Sequence, residues 1–424
     1  MLALILPCVA ANADYASAKI VDITETRNIT IHPAGENEVE DGISPTTGRD
    51  LDLLSLDLPT DGSITGMALT GEYYPILVQH SGYAGDVRVG APLYGSYADI
   101  YYVLPKSYAG HIRMMMLFND FHPTYVGPSR STRVGYLFIR QEWNAPYLYA
   151  GCQPDSWSTK YNTDVDDAIN KTLQIADKNV VFDGVNDGRY NAYHYRLTSS
   201  SYTSPFNFVW NLQEMKKDVF SSASEYNFPN MAFKFTDEAP DGDDAETVYV
   251  MYQKSKCIDK DDANDPNKWY YYNTMFEWDE DDETYYAYKM AEFDDPQRDA
   301  VLFQERIIED AALDADKHLV GNVIDGEPIT FSNIIVLCVD DPWTAGECPY
   351  PIVTGTGNAE YFIGGKHISG VWNKPGTEKD GKRTVYYDEN GEEISLLPGR
   401  TIIFYMDLYS DNSTVQKTRE LRYE

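Results

Sequence analysis

Basic residues are scarce in this chain. Its 424 residues include 34 Lys and Arg against 67 Asp and Glu, which gives a formal net charge of -33 at pH 7. So acidic a surface repels phosphate backbones and anionic lipid headgroups. We therefore expect no nucleic-acid partner, and a contact with membranes that is peripheral at most.

Cysteine and histidine are also rare, with 5 and 7 residues. No Cys/His spacing typical of zinc occurs. The sequence also lacks GxSxG, P-loop and HExxH motifs, so the common hydrolase and nucleotide chemistries have no signature here. Cys338 and Cys348 flank a turn-rich span, and outside the cell this spacing predicts a disulfide bond.

Long apolar runs are missing as well, since none beyond the start of the chain approaches the ~18 residues of a membrane span. Leu2–Ala10 is a short apolar run, followed by Ala11-Asn-Ala13 and Ala16-Ser-Ala18, which both fit signal-peptidase sites. No Lys or Arg precedes the run, which a start further upstream would explain. We interpret residues 1–18 as a signal peptide and expect a secreted protein. Lipid anchoring through Cys8 is the second alternative. It ranks lower because Pro7 takes the lipobox position that normally requires a small residue. A buried strand is the third alternative.

Tyrosine is abundant, with 34 residues in a chain that is 43% hydrophobic and 13% aromatic. This composition suffices for large hydrophobic cores and excludes global disorder. Tyrosine is typical both of β-strands and of protein surfaces that face carbohydrate, so its abundance does not distinguish the two. Roughly 400 residues remain after the leader, enough for two or three domains.

The first half of the chain predicts an arm and then a mixed domain. Residues 19–63 are polar and rich in turn formers, as in an extended N-terminal linker or arm. Short apolar runs predict buried strands at Tyr74–Gln79, Ala98–Leu104, Ile112–Phe118 and Tyr147–Tyr149. Helical spacing predicts helices at Ser131–Glu142, Asp164–Lys178 and Phe208–Phe220. We assign residues 64–235 to a mixed α/β domain.

The second half predicts β structure. Residues 236–332 form an acidic β-rich segment, in which Asp237–Lys317 alone holds 25 acidic and eight basic residues. We predict a helical insertion at Asp294–Lys317. Residues 333–406 contain Gly-Gly, Asp-Gly and Asn-Gly turns between apolar runs, which predict a small antiparallel β domain. Residues 407–424 are interpreted as a polar tail, and the fold class is α+β.

The charge balance reverses around Gly127–Arg133, which reads Gly-Pro-Ser-Arg-Ser-Thr-Arg. Residues 71–150 contain six basic and five acidic residues, in a chain of net charge -33. Guanidinium groups, hydroxyl groups and the backbone N–H groups of a helix start suit phosphate, sulfate or carboxylate. We therefore predict an anion-binding site formed by Arg113, Ser129, Arg130, Ser131 and Arg133.

The competing interpretation is that the arginines pair internally, which the abundance of acids favours. The candidate partners are Asp99, Asp120 and Glu142. Asp99 lies inside an apolar strand, where a carboxylate must be paired. We expect it to be an ion-pair partner of Arg113 or Arg133, with a ligand-orienting group or general base as the alternative.

An acidic loop is a second candidate site. Asp259, Asp261, Asn264 and Asp265 resemble a calcium loop in composition. The spacing lacks the central Gly and the later bidentate Glu of an EF-hand. Weak calcium binding and a solvated turn are therefore both open, the turn being the simpler, and no other cofactor is indicated.

Several motifs follow one another in a recognisable order. They are Ala98–Tyr102, Val126–Arg133, Gly355–Phe362, Tyr386–Gly391 and Pro398–Ile403. In this order they resemble the YerB-like lipoproteins, exported proteins of Gram-positive bacteria built from paired domains of unknown function. The resemblance spans about Gly66 to Phe404. It implies a secreted or surface-anchored envelope protein. We expect its ligand to be an envelope glycan or a small anion, with a protein partner left open.

Three positions depart from the family pattern. Val103 stands where an acidic residue is usual, and Tyr149 and Phe206 stand where His is usual. Candidate acid and base groups are thus missing, while the arginines and Asp99 remain. We therefore interpret the protein as a binding or structural module. The alternative is a hydrolase or transferase acting on envelope phosphate or glycosyl linkages.

Overall fold

The computed structural model describes residues 15–424 apart from a set of segments and single residues. These are 16, 25, 36, 38–39, 57, 59–61, 82–90, 106–111, 152–180, 200–201, 203, 205, 221–232, 253–272, 291–299, 341–350, 376–381 and 408–418. The predicted helix Asp164–Lys178, the calcium candidates Asp259, Asp261, Asn264 and Asp265, and most of the predicted signal peptide lie outside the described residues.

The described residues form mainly strands. The first are β1 (Lys19–Ile20), β2 (Ile64–Thr65), β3 (Ile76–His80), β4 (Ile100–Pro105), β5 (Ile112–Phe118), β6 (His122–Pro123), β7 (Tyr125–Val126), β8 (Tyr147–Tyr149), β9 (Val181–Asp183), β10 (His194–Thr198), β11 (Phe208–Asn211) and β12 (Asp243–Asp244). The others are β13 (Thr247–Met251), β14 (Asn273–Asp279), β15 (Thr284–Met290), β16 (Val301–Leu302), β17 (Gln304–Leu313), β18 (Leu319–Pro328), β19 (Thr330–Phe331), β20 (Asn333–Val339), β21 (Gly355–Ile363), β22 (Lys366–Lys374), β23 (Val385–Asp388), β24 (Thr401–Asp407) and β25 (Glu420–Tyr423).

Helices are short and few among these residues. They are α1 (Leu51–Leu54), α2 (Met67–Thr70), α3 (Val134–Trp143) and α4 (Leu212–Asp218), with 3-10 turns at Gly95–Tyr97 and Gly188–Tyr190. None of the described helices is long and apolar enough to cross a membrane. The α+β class is therefore broadly confirmed, with β structure dominant.

One sheet of eleven strands joins the two halves of the chain. Its order is β12-β22-β21-β20-β24-β4-β5-β3-β8-β9, and β23 pairs with β22. Strand β24 lies parallel to both β20 and β4. The predicted boundary between Ser332 and Asn333 therefore does not separate two sheets, and the C-terminal segment is not purely antiparallel.

The central strands of this sheet are mainly apolar on both faces because both faces are buried. Met114 and Met116 on β5 enter one hydrophobic core, while Met115 and Leu117 enter the core on the opposite face. The same alternation turns Cys338 on β20 into the first core, where it is a buried free thiol. The predicted disulfide with Cys348, which lies outside the described residues, is therefore not formed in this structure; burial also raises the pKa of the Cys338 thiol.

Two smaller sheets flank the large one. The first has the order β1-β25-β13-β14-β15-β16, with β19 beside β15, and the second has the order β17-β18-β10-β11-β7. Strand β25 lies between β1 and β13, and its residues Leu421 and Tyr423 are buried. The end of the predicted polar tail is therefore part of a sheet core.

The local predictions had mixed outcomes. The predicted strands were confirmed as β3, β4, β5 and β8, and the helix at Ser131–Glu142 was confirmed as α3. In Phe208–Phe220 the helix begins only at Leu212, after Asn211 caps it by accepting from the Glu214 N–H, and the preceding residues pair as β11. The prediction of a helix at Asp294–Lys317 is wrong. Gln304–Leu313 forms a long hairpin with β18, because β18 supplies hydrogen-bond partners for the backbone groups of this segment.

The large sheet brings many strand ends to one edge. Strands β20, β24, β4, β3, β8 and β9 run in the same direction, and β5 runs antiparallel between β4 and β3. Their carboxyl ends, including His80 and Asp183, therefore lie along one edge, together with Arg113 near the start of β5. In open sheets with parallel strands, ligands bind at this edge.

Candidate functional site

The Gly127–Arg133 segment passes along this edge, tied to the surrounding strands. The backbone N–H groups of Ser129, Arg130 and Thr132 donate to the carbonyls of Phe208, Gln79 and Gly151, at 2.7, 3.3 and 3.0 Å. Gly127 has φ 157°, and a Cβ there would lie 2.7 Å from the Phe208 carbonyl oxygen. Helix α3 begins only at Val134, with Arg133 as its N-cap. These three amides are therefore engaged within the protein and do not form the predicted anion site at a helix start.

Side chains supply the cations instead. The Arg113 guanidinium donates to the Ser81 carbonyl, and the Ser81 N–H donates to the Pro128 carbonyl at 3.0 Å. Arg133 is buried and donates to the Thr132 carbonyl at 2.7 Å. Arg130 lies over the Phe206 ring, with 4.7 Å between its Cζ atom and the ring centroid. The structure thus assembles the predicted arginines around one turn.

A fourth arginine joins them. Arg196 on β10 lies over the Phe208 ring at 5.1 Å. Burial and the charges of Arg133 and Arg196 lower the pKa of Arg130 to about 10. We call Arg113, Arg130, Arg133 and Arg196 the arginine cluster. Arg196 is not indicated by the sequence, because no local pattern relates β10 to the Gly127–Arg133 segment.

Hydroxyl groups at the cluster differ in their surroundings. Ser129 is fully buried, and its Oγ atom has no hydrogen-bond partner among the described residues. A buried hydroxyl without a partner loses the free energy of its hydration, so it is suited to contact a bound ligand. Ser131 is half-buried, and its carbonyl accepts from Arg133 at 3.3 Å.

His80 lies at the same edge and Lys289 acts electrostatically on it; no sequence pattern indicated either residue. Burial, followed by the charges of Arg113 and Lys289, lowers the pKa of His80 to about 3. Burial lowers the pKa of Lys289 to about 7, and its Nζ atom donates to the Thr274 hydroxyl at 2.9 Å. Lys289 lies on β15 of another sheet, and its charge acts on His80 only through the tertiary packing.

The three acids proposed as internal partners of the arginines have other partners. Asp99 accepts from the Thr46 hydroxyl at 2.7 Å and from the backbone N–H groups of Asn119 and Asp120 at 3.0 and 3.1 Å. Glu142 pairs with Lys374 at 2.6 Å. Asp120 accepts from the hydroxyl groups of Ser44 and Thr47, both at 2.6 Å. The prediction that Asp99 pairs with Arg113 or Arg133 is therefore wrong.

Asp99 and Asp120 instead form a buried carboxylate pair. The Thr46 hydroxyl lies 2.7 Å from a carboxylate oxygen of Asp99 and 3.3 Å from one of Asp120. Burial, followed by the Asp120 charge, raises the pKa of Asp99 well above its usual range. The Ser44–Thr47 turn belongs to the predicted arm, so that arm is fastened to the sheet at this pair.

The fold and this edge define an α+β protein built on a mixed sheet, with a cluster of cations at the ends of its parallel strands. Residues 266–403 match the family model of the C-terminal domain of DUF3048, a protein of unknown function. The structure is similar to the crystal structure of the YerB protein from Bacillus subtilis, with a TM-score of 0.54 and 15% sequence identity. That similarity covers 89% of this chain and 99% of that chain.

These matches confirm the resemblance to the YerB-like proteins. No curated protein sequence matches the chain. The family is described as one of unknown function.

Proposed function

We propose that this protein is an exported cell-envelope protein that binds a small anion, or the anionic group of an envelope glycan, at the arginine cluster. The observation that carries the proposal is the proximity of Arg130, Arg133 and Arg196. Burial, followed by the charges of Arg133 and Arg196, lowers the pKa of Arg130 to about 10. A bound anion would offset the repulsion between these cations. Export is supported by the apolar start and the two A-x-A sites.

The buried hydroxyl of Ser129 supports the same site. Charge-assisted hydrogen bonds from arginine to phosphate or carboxylate contribute about 1.5–3 kcal/mol each. A hydroxyl donor at a buried position adds a contact for which water does not compete. The site would therefore select a compact oxyanion over a diffuse negative charge.

Isothermal titration with phosphate and with citrate tests the proposal. Arg130→Ala should lower the affinity roughly tenfold or more. Arg189→Ala is the matched control, because Arg189 is an exposed arginine that pairs with Asp187 outside the cluster. Equal affinities for wild type and Arg130→Ala would refute the anion site, and N-terminal sequencing from the native host tests export separately.

A second function, hydrolysis or transfer at envelope phosphate or glycosyl linkages, is favoured by one observation. The charges of Arg113 and Lys289 both act on the buried His80, and burial lowers the pKa of Lys289 to about 7. A base could therefore stand near a bound phosphate. If the wild type hydrolyses 4-nitrophenyl phosphate and Lys289→Met loses this activity while it still binds phosphate, the enzymatic function is supported. If the wild type shows no turnover, the enzymatic function is refuted and the protein is a binding module.

A further inference from the structure

A cavity of about 410 Å³ opens on the other side of the molecule. It lies between the N-terminal segment, with Lys19–Asp22 and Arg27, and strand β22, with His367–Ser369. Tyr423 on β25 and the turn Asp241–Asp243 complete its walls. The volume is within the range of small-molecule sites, and none of these residues belongs to the arginine cluster.

Buried charges fix the inner wall. Glu360 is fully buried and accepts from His367 Nε2 and from Ser369 Oγ, both at 2.9 Å. Its other carboxylate oxygen pairs with Arg27, which also donates to the carbonyls of Ala359 and Gly370. Through these contacts Glu360 neutralises the charge of Arg27 and holds the His367 ring in one orientation.

An aromatic wall stands beside this network. The rings of His367 and Tyr423 lie 4.2 Å apart, and Phe362 lies behind His367 at 5.0 Å. The Tyr423 hydroxyl donates to a carboxylate oxygen of Asp243 at 3.0 Å. An aromatic face next to a carboxylate is an arrangement that binds ammonium groups.

The chain already places an ammonium group there. Lys19 Nζ lies 5.0 Å from the centroid of the Tyr423 ring and donates to Asp243 at 2.6 Å. Lys19 is on the two-residue strand β1 at the edge of its sheet, and its side chain is 62% exposed. The lysine can therefore leave this position without breaking a hydrophobic core.

The remaining charges of the cavity are negative. Asp243 is paired with Lys19 and Glu360 with Arg27, whereas Asp241 and Glu389 have no ion-pair partner in the described part of the chain. The described residues contain no group of three or more acids, His or Cys arranged to hold a metal ion. The carboxylates are therefore spread around the cavity, which suits an organic cation better than a metal.

We propose that this cavity binds a small organic amine, and that the ammonium group of the ligand takes the position of Lys19, against Asp243 and the Tyr423 ring. Lys19 is then a tethered competitor that weakens binding in the wild-type protein. The proposal is independent of the anion site. Peptides with lysine-like side chains and free diamines share this chemistry.

Titration calorimetry with 1,5-diaminopentane tests the proposal. Lys19→Met keeps most of the side-chain stem and removes the competing charge, so it should bind the diamine roughly tenfold more tightly than wild type. Adding Asp243→Asn to Lys19→Met should reverse that gain. Lys366→Met is the matched control, because Lys366 is the neighbouring cation, paired with Asp244, and its removal changes the net charge equally.

Three results would overturn the proposal. One is a Lys19→Met affinity equal to that of wild type. Another is the same gain in Lys366→Met, which would reduce the effect to net charge. The third is binding of 1,5-pentanediol as tightly as the diamine, which would remove the role of the ammonium group. All substituted side chains are at least partly exposed, and circular dichroism verifies that each variant is folded.

Discussion

Glu142 on α3 and Lys374 on β22 form a buried ion pair, with 2.6 Å between Oε1 and Nζ. Their side chains are 6% and 1% exposed, although the two residues are 232 positions apart. Glu142 also accepts from the backbone N–H of Thr384 at 2.9 Å. The pair ties a helix from the first half of the chain to a strand from the second half.

Removing one member of this pair should be costly. Lys374→Met leaves a buried carboxylate without its cation and should lower the free energy of unfolding by about 3–5 kcal/mol. The double variant Glu142→Gln/Lys374→Met should recover part of the loss. Lys366→Met, which breaks an exposed pair, should cost no more than about 1 kcal/mol. Urea unfolding measures all three, and similar losses for Lys374→Met and Lys366→Met would contradict the buried pair.

Asp99→Asn should keep or increase stability at pH 7. The pKa of Asp99 is raised in the folded protein, so the free energy of unfolding falls as pH rises from the unfolded value of 3.8 through the folded value. Asparagine removes that charge and keeps an acceptor for the Thr46 hydroxyl. Urea unfolding from pH 4 to pH 7 should therefore show a weaker decline for the variant. A loss of about 3–5 kcal/mol would instead indicate a broken ion pair.

Arg130→Ala and Asp99→Asn should act independently. Asp99 contacts Thr46, Asn119 and Asp120, so the two substitutions should add within about 0.5 kcal/mol in a double-mutant cycle. A coupling above about 1 kcal/mol would restore the discarded interpretation that the arginines fix the fold through this acid.

His122 should make the protein less stable in mild acid. Its Nε2 atom contacts the Tyr74 carbonyl at 2.9 Å, and its Nδ1 atom lies 2.9 Å from Lys216 Nζ, so Nδ1 must accept. Burial and Lys216 lower the pKa of His122 to about 3. The unfolded chain then binds the extra proton below pH 6.5, and this group should lower the free energy of unfolding by about 1.4 kcal/mol between pH 7.5 and pH 5.5.

Urea unfolding at the two pH values checks the His122 prediction. His122→Gln should reduce the difference in the free energy of unfolding between the two pH values by about 1.4 kcal/mol, whatever the absolute stability of the variant. His32→Gln is the control, because the His32 side chain is 60% exposed. An unchanged pH difference in His122→Gln would contradict the assignment.

Tyr15 distinguishes the two A-x-A sites. Its ring packs edge-on against Tyr249 at 5.1 Å, and its hydroxyl donates to Glu420 at 2.5 Å. Cleavage after Ala18 would remove these contacts, whereas cleavage after Ala13 would retain them. A chain that begins at Asp14 should therefore be more stable by about 3 kcal/mol than one that begins at Lys19. Equal melting temperatures of the two chains would contradict this.

The sequence by itself predicted the features that depend on neighbouring residues. The apolar run Ile112–Phe118 became β5 with the same bounds, because a strand buried on both faces favours apolar residues at nearly every position, with Arg113 near its start as the exception. The order of the five motifs from Ala98–Tyr102 to Pro398–Ile403 was sufficient to indicate the YerB-like fold. The anion-binding role of the arginines stays a prediction.

The tertiary structure decided what depends on distant partners. Gln304–Leu313 has the composition of a surface helix, yet it pairs with β18 because the hairpin satisfies its backbone. Arg196 reaches the arginine cluster, and Thr46 reaches Asp99, through strand order and packing that no local pattern contains. Sequence spacing specifies which side chains share a face of a strand. Only the folded sheet determines which charged side chains come into contact.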